Sequence, residues 1–440
     1  MAGGRYRFEW LVVLLVALAT LTVVDAANPQ DRTRDDLTRS VVDHHTLVIP
    51  ANTFDRALYG GRSYSDKAPG MSFLAIPAYL VERAIGVARA PQDWAAKGDL
   101  SLWGIRVATS GVLFLLTGLL LGRAAEGLVA GTGAATFAVF GTATIAASLA
   151  PTFFEHDAAA CFAFAAFLLA WREQRRSRLF LAGLAVGVGV LFQYAVAAIA
   201  VVLAVYVGAR SLRAAGWLVL GGLGPLLALG AYDLAAFGSP FHLSYRYVDN
   251  TYSELQHRGF FGIGIPTVSG LAKVLVGDQG LVLLAPVVVA AAAGLYLMWR
   301  RGYRAEAAVA GIVSTLLVLS DAAYFLPYGG NSPGPRFLVP MLPFLLLGLP
   351  FALERFPKLT LGLAAVSCVL TTFNSLTWGL RREGDAWFPG SGFSDLAKTV
   401  WVWAGLDRIQ GGSLAGLAAL AAIGIGASQV LRRRTSVRDA

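Results

Sequence analysis

Residues 28–70 read NPQDRTRDDLTRSVVDHHTLVIPANTFDRALYGGRSYSDKAPG. Asp31, Asp35, Asp36, Asp43, Asp55 and Asp66 crowd into this stretch with the adjacent pair His44 and His45 and a lone Lys67, and Asp25 stands just before it. An apolar run ends at Val24 and another begins at Met71. A polar segment this dense, tethered at the mouth of hydrophobic segments, needs a reason. Chemistry on a charged substrate at a membrane surface supplies one.

The composition provides the membrane. The chain has 440 residues, 56% of them hydrophobic and only 14% charged, which excludes an ordinary soluble domain. Crossing the hydrocarbon takes about 20 apolar residues. By that rule we draw about twelve spans, at 9–27, 99–122, 127–150, 157–171, 179–193, 195–209, 214–236, 279–299, 304–325, 336–353, 358–377 and 411–430. The fold class expected is therefore all-α: one polytopic transmembrane domain over residues 1–440. The net charge of +9 fits short basic loops better than a nucleic-acid surface. Cys161 and Cys368 fall inside apolar segments and read as small buried residues.

Loop charges orient the drawing. Arg123, the group Arg172 to Arg178, Arg210 and Arg213, Arg300 to Arg304, Arg355 with Lys358, and Arg432 to Arg434 all fall on one side. Cytoplasmic loops carry this bias, so both termini are expected in the cytoplasm. The long loops 28–98, 237–278 and 378–410 then face outward. The apolar stretch Met71–Val87, interrupted by Pro77, Glu82 and Arg83, is expected as an outer interfacial helix or one packed on the bundle. Trp94, Trp378, Trp387, Trp401 and Trp403 suit an outer aromatic belt.

Four outer groups can carry chemistry. Asp31 to Asp36, with Arg32 and Arg34 between, offers a carboxylate base beside guanidiniums, or an N-cap for a helix starting near Thr33 or Asp35. Tyr64-Ser65-Asp66-Lys67-Ala68-Pro69-Gly70 sets an acid beside a phosphate-suited lysine, ahead of a Pro-Gly turn. Glu155-His156-Asp157 puts three titratable groups at the membrane rim, or caps a helix. Tyr328 to Arg336 is glycine-rich and ends in an arginine able to clamp a phosphate, but it lacks the P-loop spacing. Should the reaction use a divalent metal ion, Asp66, Glu155 and Asp157 are the oxygen ligands on offer.

In this order of segments the chain resembles the GT-C superfamily of membrane glycosyltransferases, nearest the protein O-mannosyltransferase and lipid A aminoarabinose transferase branch. The D-x-T-R of Asp31 to Arg34, Y-S-D-K-A-P-G, and G-G-x-x-x-G-P-R ending at Arg336 carry the likeness. The resemblance implies inverting transfer of a sugar from a polyprenyl-phosphate carrier to a glycan, lipid or protein acceptor on the non-cytoplasmic side of the cell membrane. It implies Asp31 as catalytic carboxylate, Lys67 beside Asp66 near the donor phosphate, and Glu155-His156-Asp157 as the second acidic loop; we expect Arg34, Tyr64, His156 and Arg336 around the substrate. Two departures stand out: Asp31 is followed by Arg32 where mannosyltransferases carry Glu, and acceptor binding is expected to be reduced to 378–410. The competing readings are a flippase of lipid-linked saccharide, which would want charges along a path through the spans, and a polysaccharide polymerase or ligase. Few span charges are present, namely Arg106, Asp233 and Asp321.

Overall fold

The computed structural model describes residues 2–24, 28–87, 100–330, 332–378 and 398–438. Asp25, Trp94, Trp387, Asn331 and most of the 378–410 loop lie outside the described residues, as does the side chain of Trp378. What is described is helical, apart from two small two-stranded pairings. Helix α1 (Ala2–Thr20) opens the chain; α2 (Pro29–His44) and α3 (Gly70–Ala84) belong to the first loop.

Every expected span coincides with a helical segment, but the count of about twelve is not reached. Among the described residues six helices are long and apolar enough to cross a membrane, and a seventh crossing results if one bent pair is counted. Much of the difference is length, since Trp10–Thr20, His156–Ala170, Arg176–Phe192 and Val196–Gly208 are helical but short, and two further segments are broken. The segment expected at 127–150 is split into Gly133–Thr142 and Ile145–Leu149, with Thr144 in extended conformation between them. The segment expected at 279–299 belongs to a pair, Val268–Leu284 and Val287–Arg300, bent by 91°. Pro286 sits at that break, where its ring and missing N–H preclude a continuous helix.

The start of α2 also differs from expectation. It begins at Pro29, with Asn28 as N-cap, because a proline at the first helical position and an asparagine before it satisfy the free N–H groups earlier than Thr33 or Asp35 would. Between α2 and α3 lies a hairpin, Arg56–Tyr59 against Arg62–Ser65, turning through Gly60 and Gly61 in left-handed conformation. Helix α3 buries Met71, Ala75 and Tyr79 and exposes Phe73, Leu80 and Val81. It packs on α2 and on Leu100–Arg106, and its outward apolar stripe suits a membrane interface.

Small residues set the tightest helix contact. Gly183 of Arg176–Phe192 meets the backbone of Leu218, and Gly221 of Leu212–Phe237 meets that of Phe180. A Cβ at Gly183 would overlap the Leu218 carbonyl, so the helices would have to separate. Gly183→Ala is expected to destabilise the protein by about 1–3 kcal/mol. Gly222→Ala, whose Cβ meets its nearest atom at 3.5 Å, is the control. Thermal unfolding of the two variants in detergent checks this.

Candidate functional site

The first loop's charges pair off. Asp35 binds Arg39 at 2.7 Å, Asp36 binds Arg32 at 3.4 Å, and Asp43 binds Arg83 at 2.8 Å. Asp66 and Asp55 share Lys67, at 2.6 and 3.5 Å from its Nζ. Burial works against the charge on Lys67, but the two carboxylates outweigh it and hold the ammonium above its usual pKa. Burial, together with the Asp55 carboxylate, pushes Asp66 up to about 6 against the pull of Lys67.

Asp31 is fully buried, and both its carboxylate oxygens accept hydrogen bonds. It closes a capping box at the start of α2: the Asn28 side chain accepts the Gln30 and Asp31 N–H groups, and Asp31 Oδ2 accepts the Asn28 N–H at 3.2 Å. The same Oδ2 accepts from Arg106 Nη2 at 2.6 Å, and Oδ1 accepts the Phe153 N–H at 3.0 Å. One carboxylate thus ties α2 to two other segments. Arg106 is delivered just ahead of a π-helical stretch, Val107–Gly111, in an otherwise continuous helix.

Arg34, one turn into α2, donates to Glu155 in a buried ion pair. Burial alone would raise Glu155, but Arg34, His156 and Arg336 take it down to about 2. His156 sets Nδ1 at 3.4 Å from Gln193 Oε1 and its ring edge against Phe337. Asp157 is buried, and neither of its carboxylate oxygens has a hydrogen-bond partner among the described residues. Tyr64 packs on Phe237, ring centroids 5.4 Å apart, within a cluster that includes Leu37, Ile49 and Ala57.

Arg336 is different from its neighbours. Three arginines are buried among the described residues: Arg34, Arg106 and Arg336. The first two hold carboxylates. Arg336, 6% exposed, has no ion pair among the described residues, and its Nε has no hydrogen-bond partner among them. Its guanidinium lies over the Phe154 ring at 4.8 Å and near that of Phe337 at 5.2 Å, and Phe154 also carries Arg34 at 5.8 Å. Gly329, with φ +75°, lets the loop backbone lie against this guanidinium; a side chain there would collide with it. Glu155, Arg34 and Asp55 are within electrostatic reach of Arg336, so the glycine loop, α2, the hairpin and the Glu155 segment converge.

The metal set does not assemble. Among the described residues no group of three His, Cys, Asp or Glu is placed to hold an ion. Of Asp66, Glu155 and Asp157, the first two are each committed to a cation of the protein. Sequence reasoning passed over Phe154 and Tyr324 and gave Asp55 and Tyr245 no specific role; Tyr245 and Tyr324 lie within electrostatic reach of Asp66 and Arg336. Arg106 had a signal, since a charge inside a span is costly unless paired or used.

Helix arrangement and buried polar loop together define a multi-pass membrane protein with the fold of the GT-C glycosyltransferases. Two solved structures of ArnT from Cupriavidus metallidurans, a lipid A aminoarabinose transferase, share it. The apo form aligns with a TM-score of 0.59 at 15% identity, covering 98% of this chain and 76% of ArnT. The form bound to undecaprenyl phosphate aligns with a TM-score of 0.58 at 15% identity, covering 100% and 80%. No protein-family model and no curated protein matches the sequence.

Proposed function

We propose that the chain is a glycosyltransferase that moves a sugar from a polyprenyl-phosphate carrier to an acceptor hydroxyl on the non-cytoplasmic face of the cell membrane. The observation that carries the reading is Arg336. A buried guanidinium without a carboxylate costs several kcal/mol, roughly, unless an anion completes it. The donor phosphate is that anion, a bidentate partner for arginine. Lys67 has three N–H donors, gives one to Asp66 and has Asp55 only as an ion-pair partner at 3.5 Å, which leaves donor capacity for the phosphate. The solved structure of ArnT with undecaprenyl phosphate supports a lipid-linked donor on this fold.

The acceptor oxygen attacks the anomeric carbon as its bond to the phosphate oxygen breaks, with inversion. The polyprenyl phosphate leaves, its charge met by Arg336 and Lys67. The hydroxyl proton passes to Asp31 Oδ1, which accepts only the Phe153 N–H among the described residues and keeps a second acceptor position. A second reading of the base has one observation in its favour: Asp66 Oδ1 is buried with no hydrogen-bond partner among the described residues, so both its acceptor positions are open where Asp31 Oδ1 has one.

The test is transfer by the purified chain in vesicles, given undecaprenyl-phosphate-linked hexose and pentose donors and membrane lipid, glycan and peptide acceptors. Release of undecaprenyl phosphate that depends on acceptor, with an inverted product anomer, is expected. A retained anomer, or cytoplasmic labelling of cysteines placed in residues 28–70, overturns the reading.

A further inference from the structure

Away from the charged loop, the helices Val287–Arg300 and Arg304–Ala322 enclose a groove of about 630 Å³. Apart from Thr315 its lining is apolar, with Leu295, Ile312 and Leu316 beside the small residues Ala307, Ala308 and Gly311. Tyr296 and Trp299 stand at one end, both exposed. That end is also basic. Arg300 is exposed and donates to the Tyr296 hydroxyl at 3.1 Å. Arg304 is exposed and lies one turn before Ala307 and Ala308, on the same helix face. Arg301, by contrast, is committed to Glu354 at 3.0 Å.

We infer that this groove holds one acyl chain of an anionic phospholipid, with Arg300 and Arg304 at its phosphate. Two arguments select that occupant. The first is length. From Ala307 to Leu316 the groove runs about 13 Å at 1.5 Å per residue. Half of the ~30 Å hydrocarbon layer is about 15 Å, so the groove is one leaflet deep. A polyprenyl chain reaching the charged loop would need it to continue to Ala322. The second is charge: an apolar slot mouthed by aromatics and two exposed arginines is complementary to an anionic headgroup, and a zwitterionic one gains less from it.

The experiment is thermal unfolding of the full chain in neutral detergent, titrated with phosphatidylglycerol or phosphatidylcholine. A ligand that binds the folded state raises the melting temperature with its concentration. Phosphatidylglycerol is expected to raise it further than phosphatidylcholine. Gly311→Leu fills the groove, and a Cβ at Gly311 meets nothing within 4 Å, so the helix tolerates it. This variant is expected to lose the lipid-dependent rise. The double variant Arg300→Gln, Arg304→Gln is expected to lose the preference for phosphatidylglycerol and keep the smaller effect of phosphatidylcholine. Equal shifts from both lipids in the unaltered chain overturn the inference. So does a preference that survives the double variant, whose exposed positions leave the fold intact should Gly311→Leu not express.

Discussion

Arg336→Gln should abolish most binding of undecaprenyl phosphate while leaving the fold at least as stable. A hydrogen bond to a charged group is worth about 1.5–3 kcal/mol, so affinity should fall roughly 10- to 100-fold. Stability should move the other way. Arg336 is buried without an ion pair among the described residues, and replacing it removes a desolvated charge that Glu155 and Asp55 offset only at a distance. Arg34→Gln is the contrast. It strands Glu155, its buried partner, and should destabilise the protein by about 3–5 kcal/mol. Binding of undecaprenyl phosphate in detergent, with melting temperatures of both variants, separates the two roles. An Arg336→Gln protein that is destabilised yet binds normally would make Arg336 a structural residue and remove the main support for the proposed reaction.

The contrast between these two arginines shows what a sequence can and cannot reveal. Local features were legible. Pro69 and Gly70 announce the start of α3, and the Gly70 Cα lies so close to the Leu191 backbone that a Cβ would sit 2.6 Å from its carbonyl oxygen. Gly329 and Gly330 both take left-handed backbone ahead of Arg336. Apolar run lengths placed the helices, although they could not tell a crossing helix from a shorter one packed inside the bundle. Partnership was not legible. Arg34 meets Glu155 across 121 residues and Asp31 meets Arg106 across 75, and no local pattern encodes which of several acids a given cation finds. Asp66, Glu155 and Asp157 were for the same reason offered as metal ligands, where the structure gives Asp66 to Lys67 and Glu155 to Arg34.

Asp31→Asn and Asp66→Asn should part company in their pH behaviour. As the base, either carboxylate is worth roughly 10²–10⁴ in rate, so lost transfer alone identifies neither. Asp31→Asn also turns an amide toward Arg106 and leaves that arginine buried without its carboxylate, so a drop in melting temperature should accompany the lost rate. Asp66 is the one with a usable titration. Two carboxylates sharing one lysine hold a proton more readily than either would alone, and burial adds to this, placing Asp66 at about 6. Because its folded value lies above its ordinary one of 3.8, the protonated form favours the folded state; that stability is present at low pH and is lost as pH rises through about 6. A base works in the opposite sense, since only the ionised form accepts a proton. If Asp66 takes the acceptor's proton, kcat/KM rises through about 6 while the melting temperature falls, and both trends vanish in Asp66→Asn. If Asp31 takes it, only the stability trend depends on Asp66, and the rate profile of Asp66→Asn keeps the shape of the unaltered chain's. A rate limb near 6 that persists in Asp66→Asn would exclude Asp66 as its origin and assign the titration to another group, the acceptor included.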